Sequence, residues 1–475
     1  MRDGLGTDMK RLASLVAFTL IATSAAATDK SEEAFRDLAD AVHIRTGKRV
    51  IWDRGTAQDA EAEAFVHSLF RRSLTADSAV QIALLNNRNL QATYEEIGIA
   101  QGDLIDAGLL RNPLFEIEKR FPGRAFEADM FAELIDLLLL PLRKRAAKAD
   151  FEAAKMRVAH EIVSQTSDVR AAFYEHQGDM QLVDLSRTVT KASEESAAAA
   201  LRLHEAGNTT DLDLANEQAL HVQTKLDLAT AQSTALESRE KLGSLMGAWG
   251  RQTQWKISSR LPDLPANEIS VNGLESRAIS QRLDLSAARQ AAIAQGRTAG
   301  YAAIGAIFDQ LEVGAHYEHE PEGNSTTGPS FKIPIPLFNF GQGTNVRAKA
   351  KFRQNEQKYF ALAVQIRSEV RTARDKMLLA RQRADYIEST ILPLRHRILQ
   401  ETQLQYNAMH TGVFELLRAK QEEVSAGKEH VEALRDYWIA RAELEKAVGG
   451  SVSGKSFSLS SSSSSSKEIV KEPKR

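Results

Sequence analysis

The 475-residue chain has no cysteine. That excludes a disulfide framework, a thiolate metal site, a cysteine nucleophile and a lipid-modified cysteine at the mature N-terminus. Neither sign of charge prevails, with 61 Lys and Arg against 63 Asp and Glu and a formal charge of −2, so nucleic acid is not expected as a partner. Aromatic residues make up 6%, which suits long alanine-rich helices better than a β-sandwich. Beyond the N-terminus no run of about 18 apolar residues appears; the nearest approach, Leu134 to Leu142, is interrupted by Asp136 and Pro141. Without a spanning helix, a chain is either soluble or crosses a membrane as a β-barrel. A Gly-rich phosphate loop, HExxH and G-x-S-x-G are also missing, so no catalytic residue, cofactor or bound metal is expected.

The N-terminus reads as a secretory signal over 1–27. Lys10 and Arg11 precede an apolar run from Leu12 to Ala22 and small residues to Ala27, and Met9 is an alternative start to Met1. Residues 28–72 form a charged extension with short helices expected around 32–41 and 59–70 and no assignable role. At the other end, 451–475 is a Ser-rich tail whose low complexity predicts disorder.

Between these ends the second half repeats the first. IAQG at Ile99 to Gly102 returns at Ile293 to Gly296, and LPLRKRAAKA from Leu140 returns as IPLFNFGQGTNVRAKA from Ile335. Two copies imply one pseudo-symmetric body, with repeats at 73–250 and 251–450, and not a solenoid. A helix is expected from Thr75 or Asp77 to about Gly108.

Period-two alternation then marks a strand hairpin in each repeat, at about 112–138 and 309–338. In the first, Phe115, Ile117, Phe126, Ala128, Met130, Ala132 and Leu134 alternate with acids. In the second, Leu311, Val313, Ala315 and Tyr317 alternate with Glu312, Gly314, His316 and Glu318, and after a turn-rich stretch Phe331, Ile333, Ile335 and Leu337 follow. Four strands of about ten residues match the length of a tilted membrane-crossing strand. Four cannot close a barrel with an aqueous lumen, so spanning requires several protomers to share one. The face with Glu116, Glu118, Glu127, Asp129, Glu133, Glu312, His316 and Glu318 is then the lumen wall. His319 points away from His316 and Glu318 on a strand, so no metal site is expected there.

Each repeat continues into a helical hairpin, at about 142–246 and 343–448, with apolar positions three, four and seven apart. The first long helix is expected to begin after Pro141. Gly207 and Gly412 sit at the turns, where glycine suits the left-handed residue that ends a helix. Pro393 should bend its helix. The fold class is therefore mainly α with a small β part, a tandem repeat of long antiparallel coiled-coil hairpins and strand pairs.

AGLLRNPLF (Ala107 to Phe115), IPIPLFNFGQGTNVRAKA (Ile333 to Ala350), the turn glycines and the two-fold repeat together resemble the TolC-like outer-membrane efflux proteins over about Ser73 to Gly450. LQYNAMHTGVFELLRAKQ and RDYWIARAELEKAVGG are most similar to the heavy-metal (CzcC-like) branch. The resemblance implies a homotrimer whose twelve strands form a β-barrel in outer-membrane lipid, continued by an α-helical barrel across the periplasm. It also implies a periplasmic adaptor (membrane fusion) protein and an inner-membrane efflux pump, of the resistance-nodulation-division type, as partners. Many relatives carry a lipidated cysteine that this sequence does not have, so anchoring is expected to rest on the barrel.

In that family acids just beyond the glycine break line a periplasmic constriction. Glu415 stands at one such position and Arg418 replaces the next acid, with Glu415 and Arg418 spaced to pair at i, i+3. Asp211 and Asp213 lie in the corresponding place of the first repeat, where Asp211 also suits a helix N-cap. The turns Gly207, Asn208, Thr209 and Thr411, Gly412, Val413, Phe414 are the expected adaptor-docking tips. The alternative is a periplasmic coiled-coil adaptor or scaffold without a channel; adaptors usually have one helical hairpin, whereas this chain has two in tandem.

Overall fold

The computed structural model describes residues 32–119, 126–308, 311–320 and 324–452. The signal segment and all but two residues of the Ser-rich tail lie outside the described residues. Residues 32–46 form helix α1, followed by α2 (Ala57–Phe70), β1 (Ser73–Leu74), α3 (Ala76–Asn86) and α4 (Arg88–Asp106). Then come β2 (Leu114–Lys119), β3 (Phe126–Glu133), α5 (Leu134–Glu205), α6 (Asp211–Leu245) and β4 (Lys256–Ile257). The second repeat has α7 (Leu274–Gln281), α8 (Leu283–Ile307), β5 (Glu312–His319), β6 (Ser325–Lys332), α9 (Gln342–Tyr386), a π turn (Ile387–Ile391), α10 (Leu392–Asn407) and α11 (Val413–Val448).

The order short helix, helix, two strands, two long helices thus occurs twice. At 72 residues, α5 is about 110 Å long. No described helix is long and apolar enough to cross a membrane.

The helix expected to run unbroken from Thr75 to Gly108 is divided at Asn87, which is extended at φ −73° and ψ 115°. Thr75 caps α3. The Asn87 side chain accepts from the backbone N–H groups of Asn89 and Leu90 and donates to the Leu245 carbonyl at 2.8 Å. Those bonds satisfy a helix start that the interior of a continuous helix would not need. The second repeat breaks at Arg282, equally extended (φ −66°, ψ 124°), where the buried guanidinium binds Asp284 at 2.6 Å and Glu369 at 2.5 Å.

The first long helix begins at Leu134, seven residues before Pro141, rather than after it. Pro141 costs one intrahelical bond, but Asp136, in the first turn, is held by Arg143 at 2.9 Å across it. Pro393 stands just beyond the π turn, whose wider ladder absorbs the proline's missing N–H and its ring.

Each repeat has its own core. In the first, Val80, Leu84, Tyr94, Ile97, Ile162 and Leu242 join Leu38, Val42 and Trp52 of the N-terminal extension, so residues 32–72 brace the long hairpin. In the second, Leu274, Ile366, Val370, Met377, Tyr437 and Leu444 pack together. The halves meet where α5 packs against α8 and against α11. At the second of these contacts Arg170 bonds Glu445 at 2.5 Å and Asp77 at 3.1 Å, Tyr174 stacks on Trp438, and the Arg435 side chain crosses Gly178 to reach Asp179 at 3.2 Å.

The four hairpin strands form one antiparallel sheet in the order β2-β3-β5-β6. The second hairpin closes earlier than expected. Glu312 pairs with Lys332 and His319 with Ser325, so Ile333, Ile335 and Leu337 fall outside the strand. Eight residues of β5 need eight partners, and those lie in the stretch that composition marks as turn. Pro329 is tolerated because β6 is an edge strand.

Candidate functional site

Two regions bring the chemistry-bearing residues together, the tips of the helical hairpins and one face of the sheet. At the first tip Gly207 adopts φ 76°. Its N–H reaches the His204 carbonyl at 2.8 Å and the Asn208 N–H reaches Leu203 at 2.9 Å, the bonding that ends a helix with a left-handed residue. Thr210 then caps α6, accepting from the Asp213 N–H at 3.2 Å, while Asp213 Oδ2 accepts from Thr210 Oγ1 at 2.7 Å and Thr209 Oγ1 at 3.3 Å. The cap is thus Thr210 and not Asp211, whose side chain is 97% exposed with Oδ1 3.3 Å from His204 Nε2.

At the second tip the left-handed residue is Met409, at φ 60°, and not Gly412. Met409 donates to the Tyr406 carbonyl and His410 to Gln405, both at 2.9 Å, the same pattern as at Gly207. Gly412 is extended (φ −84°, ψ 166°) and serves as the N-cap of α11. Thr210 and Gly412 therefore correspond, and the acid equivalent to Glu415 is Asp213, each three residues past its cap.

The expected Glu415–Arg418 pair does not form. Arg418 turns the other way to Glu422 at 3.2 Å, a carboxylate that also binds Arg395 of α10. One acid shared by two cations outcompetes the i, i+3 partner, and Glu415 is left exposed. Asn208 and Phe414 are exposed, and Thr209, Thr411 and Val413 half-buried.

Between the hairpins, just inside the tips, lies a cavity of about 590 Å³ lined by Leu399, Leu404, Val413, Leu416, Leu417 and Glu217. Glu217 is 5% exposed, and its Oε2 has no hydrogen-bond partner. Sequence reasoning passes over Glu217 because one acid on a charged helix reads as a solvated residue. It passes over Met409 because nothing in a methionine signals a left-handed backbone.

On the sheet, register brings the expected acids onto one face. Glu116, Asp129 and His316 stand abreast on β2, β3 and β5, as do Glu118, Glu127 and Glu318. His316 Nδ1 lies 2.8 Å from Asp129 Oδ1. Glu133 opposes Glu312, and each has a cation, Arg111 at 2.7 Å and Lys332 at 3.2 Å. His319 falls on the other face, against Phe126 and Ser325. Among the described residues no group of three or more His, Asp or Glu is placed to hold a metal ion.

The second face carries Phe115, Ile117, Met130 and Phe331, each more than half exposed. Phe131 and its cross-strand partner Leu114 are apolar residues out of pattern on the acidic face. Leu114 is exposed, whereas Phe131 is not. Phe131 folds over Gly314, where a Cβ would stand 2.6 Å from its ring, and is buried there under Lys332.

No protein-family model matches the chain. Over 384 residues it is 22% identical to the cobalt-zinc-cadmium resistance protein CzcC of Cupriavidus metallidurans, covering 79% of this chain and 90% of that protein. The outer membrane channel CmeC of Campylobacter jejuni superimposes with a TM-score of 0.69 at 16% identity, over 80% of this chain and 87% of that one. CusC, solved in a study of folding and transmembrane channel formation, gives 0.65 at 18% identity over 79% and 92%. The chain therefore has the fold of the TolC-like outer membrane channels, and its sequence similarity to CzcC extends over most of its length.

Proposed function

We propose that the protein is the outer-membrane exit duct of a tripartite efflux system, passively conducting substrates, metal cations among them, out of the cell. The observation that carries this reading is the four-stranded sheet itself. One face is exposed and apolar, the other acidic, both edge strands, β2 and β6, have no further strand partner among the described residues, and the sheet runs directly into helices far too long for a globule. An open edge is untenable in lipid. Three copies joined edge to edge remove every edge, place the apolar face outward and turn Glu116, Glu118, Glu127, Asp129, Glu312 and Glu318 into the channel.

In this reading the duct itself has no catalytic step. The hairpin tips, in the periplasm, dock an adaptor linked to an inner-membrane pump of the resistance-nodulation-division type. Rings of Glu415 and Asp213 narrow and select the passage, with Asp211 at its rim and Arg418 held away by Glu422. Cation cargo is supported by the similarity to CzcC and by the acidic sheet face.

Single-channel recording of the purified protein in a planar bilayer tests the reading. Discrete, cation-selective openings support it. A soluble monomer that never inserts overturns it in favour of a periplasmic scaffold.

A further inference from the structure

A band of cations lies just where the sheet gives way to the helices, and the duct reading leaves it without a role. Helix α8 supplies a common scale for its height. Leu139 of α5 packs against Gly305, and Gly341, at the start of α9, packs against Ala303. Farther along α8, Arg297 donates to the Arg145 carbonyl at 2.6 Å and Phe352 of α9 covers Gly296. The two levels are about 10 Å apart at 1.5 Å per residue.

The upper level and what precedes it are apolar and exposed, with Leu137 and Leu138 on α5 and Leu337, Phe338 and Phe340 before α9; Phe338 is 90% exposed. Between the levels, and as far as Lys148 on α5, the exposed charged side chains are Lys144, Arg145 and Lys148 on α5 and Arg347, Lys349 and Lys351 on α9, with exposed Leu142 and Val346 among them. Neither helix has an acid in this interval. Of the acids nearby, Asp37 and Glu152 are bound by Lys155, which leaves Glu33, Asp103, Asp106 and Asp150 against the six cations.

The cations recur at matching places in both repeats, as LRKRAAKA and NVRAKAK. Arg347 and Lys351 share one face of α9 and Lys349 takes the opposite one, so whichever face of this helix turns outward is basic. An apolar band followed within about 10 Å by cations reproduces the depth profile of a leaflet, hydrocarbon and then a phosphate layer several ångströms thick.

We propose that this collar seats the protein on anionic phospholipid headgroups of the leaflet facing the helices. The inference rests on the duct reading, because it takes the strands to cross the membrane. Charge complementarity selects the occupant, since phosphates at that depth are anionic and Lys and Arg are their usual partners.

The test uses the full-length protein in a neutral detergent, titrated with dihexanoyl phosphatidylglycerol, dihexanoyl phosphatidylcholine or inorganic phosphate, with the unfolding midpoint as readout. The anionic phosphatidylglycerol alone should raise the midpoint by several degrees. The combined variant Lys144→Gln, Lys148→Gln, Arg347→Gln, Lys351→Gln should lose that rise while its lipid-free midpoint stays close to the parent's. Equal shifts from both lipids, an equal shift from phosphate, or a full shift in the variant overturns the collar. Channel recordings separate the two failures. Conduction without lipid preference removes the collar and leaves the duct, whereas failure to insert removes the duct.

Discussion

Gly207 and Met409 hold the same left-handed position in the two hairpin turns, with φ of 76° and 60°. For glycine that conformation is free of strain, whereas a residue with a Cβ gives up about 1 kcal/mol or more. Met409 is also 93% exposed, so no packing offsets the strain. Met409→Gly should therefore raise unfolding stability by about 1 kcal/mol, and Gly207→Ala should lower it by a similar amount. Denaturant unfolding of both variants checks the pair. A destabilised Met409→Gly would mean that the methionine is held by contacts absent from the isolated protomer.

Asp213 has two functions that substitutions can separate. Its carboxylate completes the capping box with Thr210 and places negative charge at the tip. Asn retains an acceptor and removes the charge, whereas Thr210→Ala removes the cap and retains the charge. Asp213→Asn combined with Glu415→Gln should reduce cation selectivity in bilayer recordings with little change in stability. Thr210→Ala should cost about 1 kcal/mol and leave selectivity intact. If both leave selectivity unchanged, the tips are not the selective constriction.

The same tips show which parts of this molecule its sequence discloses. The repeat, the strand pairs and the long hairpins are legible because they rest on periodicity, and the acidic sheet face follows from strict alternation. Where a feature depends on distant partners, reading fails. Asn87 breaks a helix because the Leu245 carbonyl waits for its amide, and Arg282 breaks the equivalent helix through Asp284 and Glu369. The apolar run from Leu134 looks like more strand, yet the sheet ends where β5 begins, at Glu312 opposite Glu133. Ser325 to Lys332 looks like turn and pairs as strand because β5 requires it.

His176 predicts a pH dependence. It is 1% exposed, held at Nδ1 by Ser238 at 3.1 Å, edge-on to Trp255, and has no partner at Nε2. Burial, reinforced by Arg239, lowers its pKa from 6.5 to about 4. The unfolded chain thus binds a proton that the folded one refuses between those values. Stability is full above about pH 6.5, falls as pH drops towards 4, and the loss levels off below that, at an order of 3 kcal/mol. Neighbouring Asp179 is shifted upward by burial and acts in the opposite sense. The informative quantity is therefore the difference in unfolding midpoint between wild type and His176→Gln, whose change with pH should be confined to the window between pH 4 and 6.5. A constant difference across pH would show that the imidazole is not buried neutral.

Glu217 gives the clearest expected gain in stability. A carboxylate 5% exposed with one oxygen unpartnered is a desolvated group without full compensation. Lys420, across the same cavity, does not reach it within ion-pair distance. Leucine at this position would replace the orphaned oxygen with methyl groups facing Leu399, Leu404 and Leu417, so transfer and packing terms favour the variant together. Glu217→Leu should stabilise the folded protein by about 1 to 3 kcal/mol. Glu217→Gln, which keeps the shape and an unsatisfied amide, should gain less. The ordering Leu above Gln above wild type in denaturant midpoint is the required result. A wild type more stable than both would mean that Glu217 is paired in the assembled protein, and the same measurement on membrane-extracted material would show which copies supply the partner.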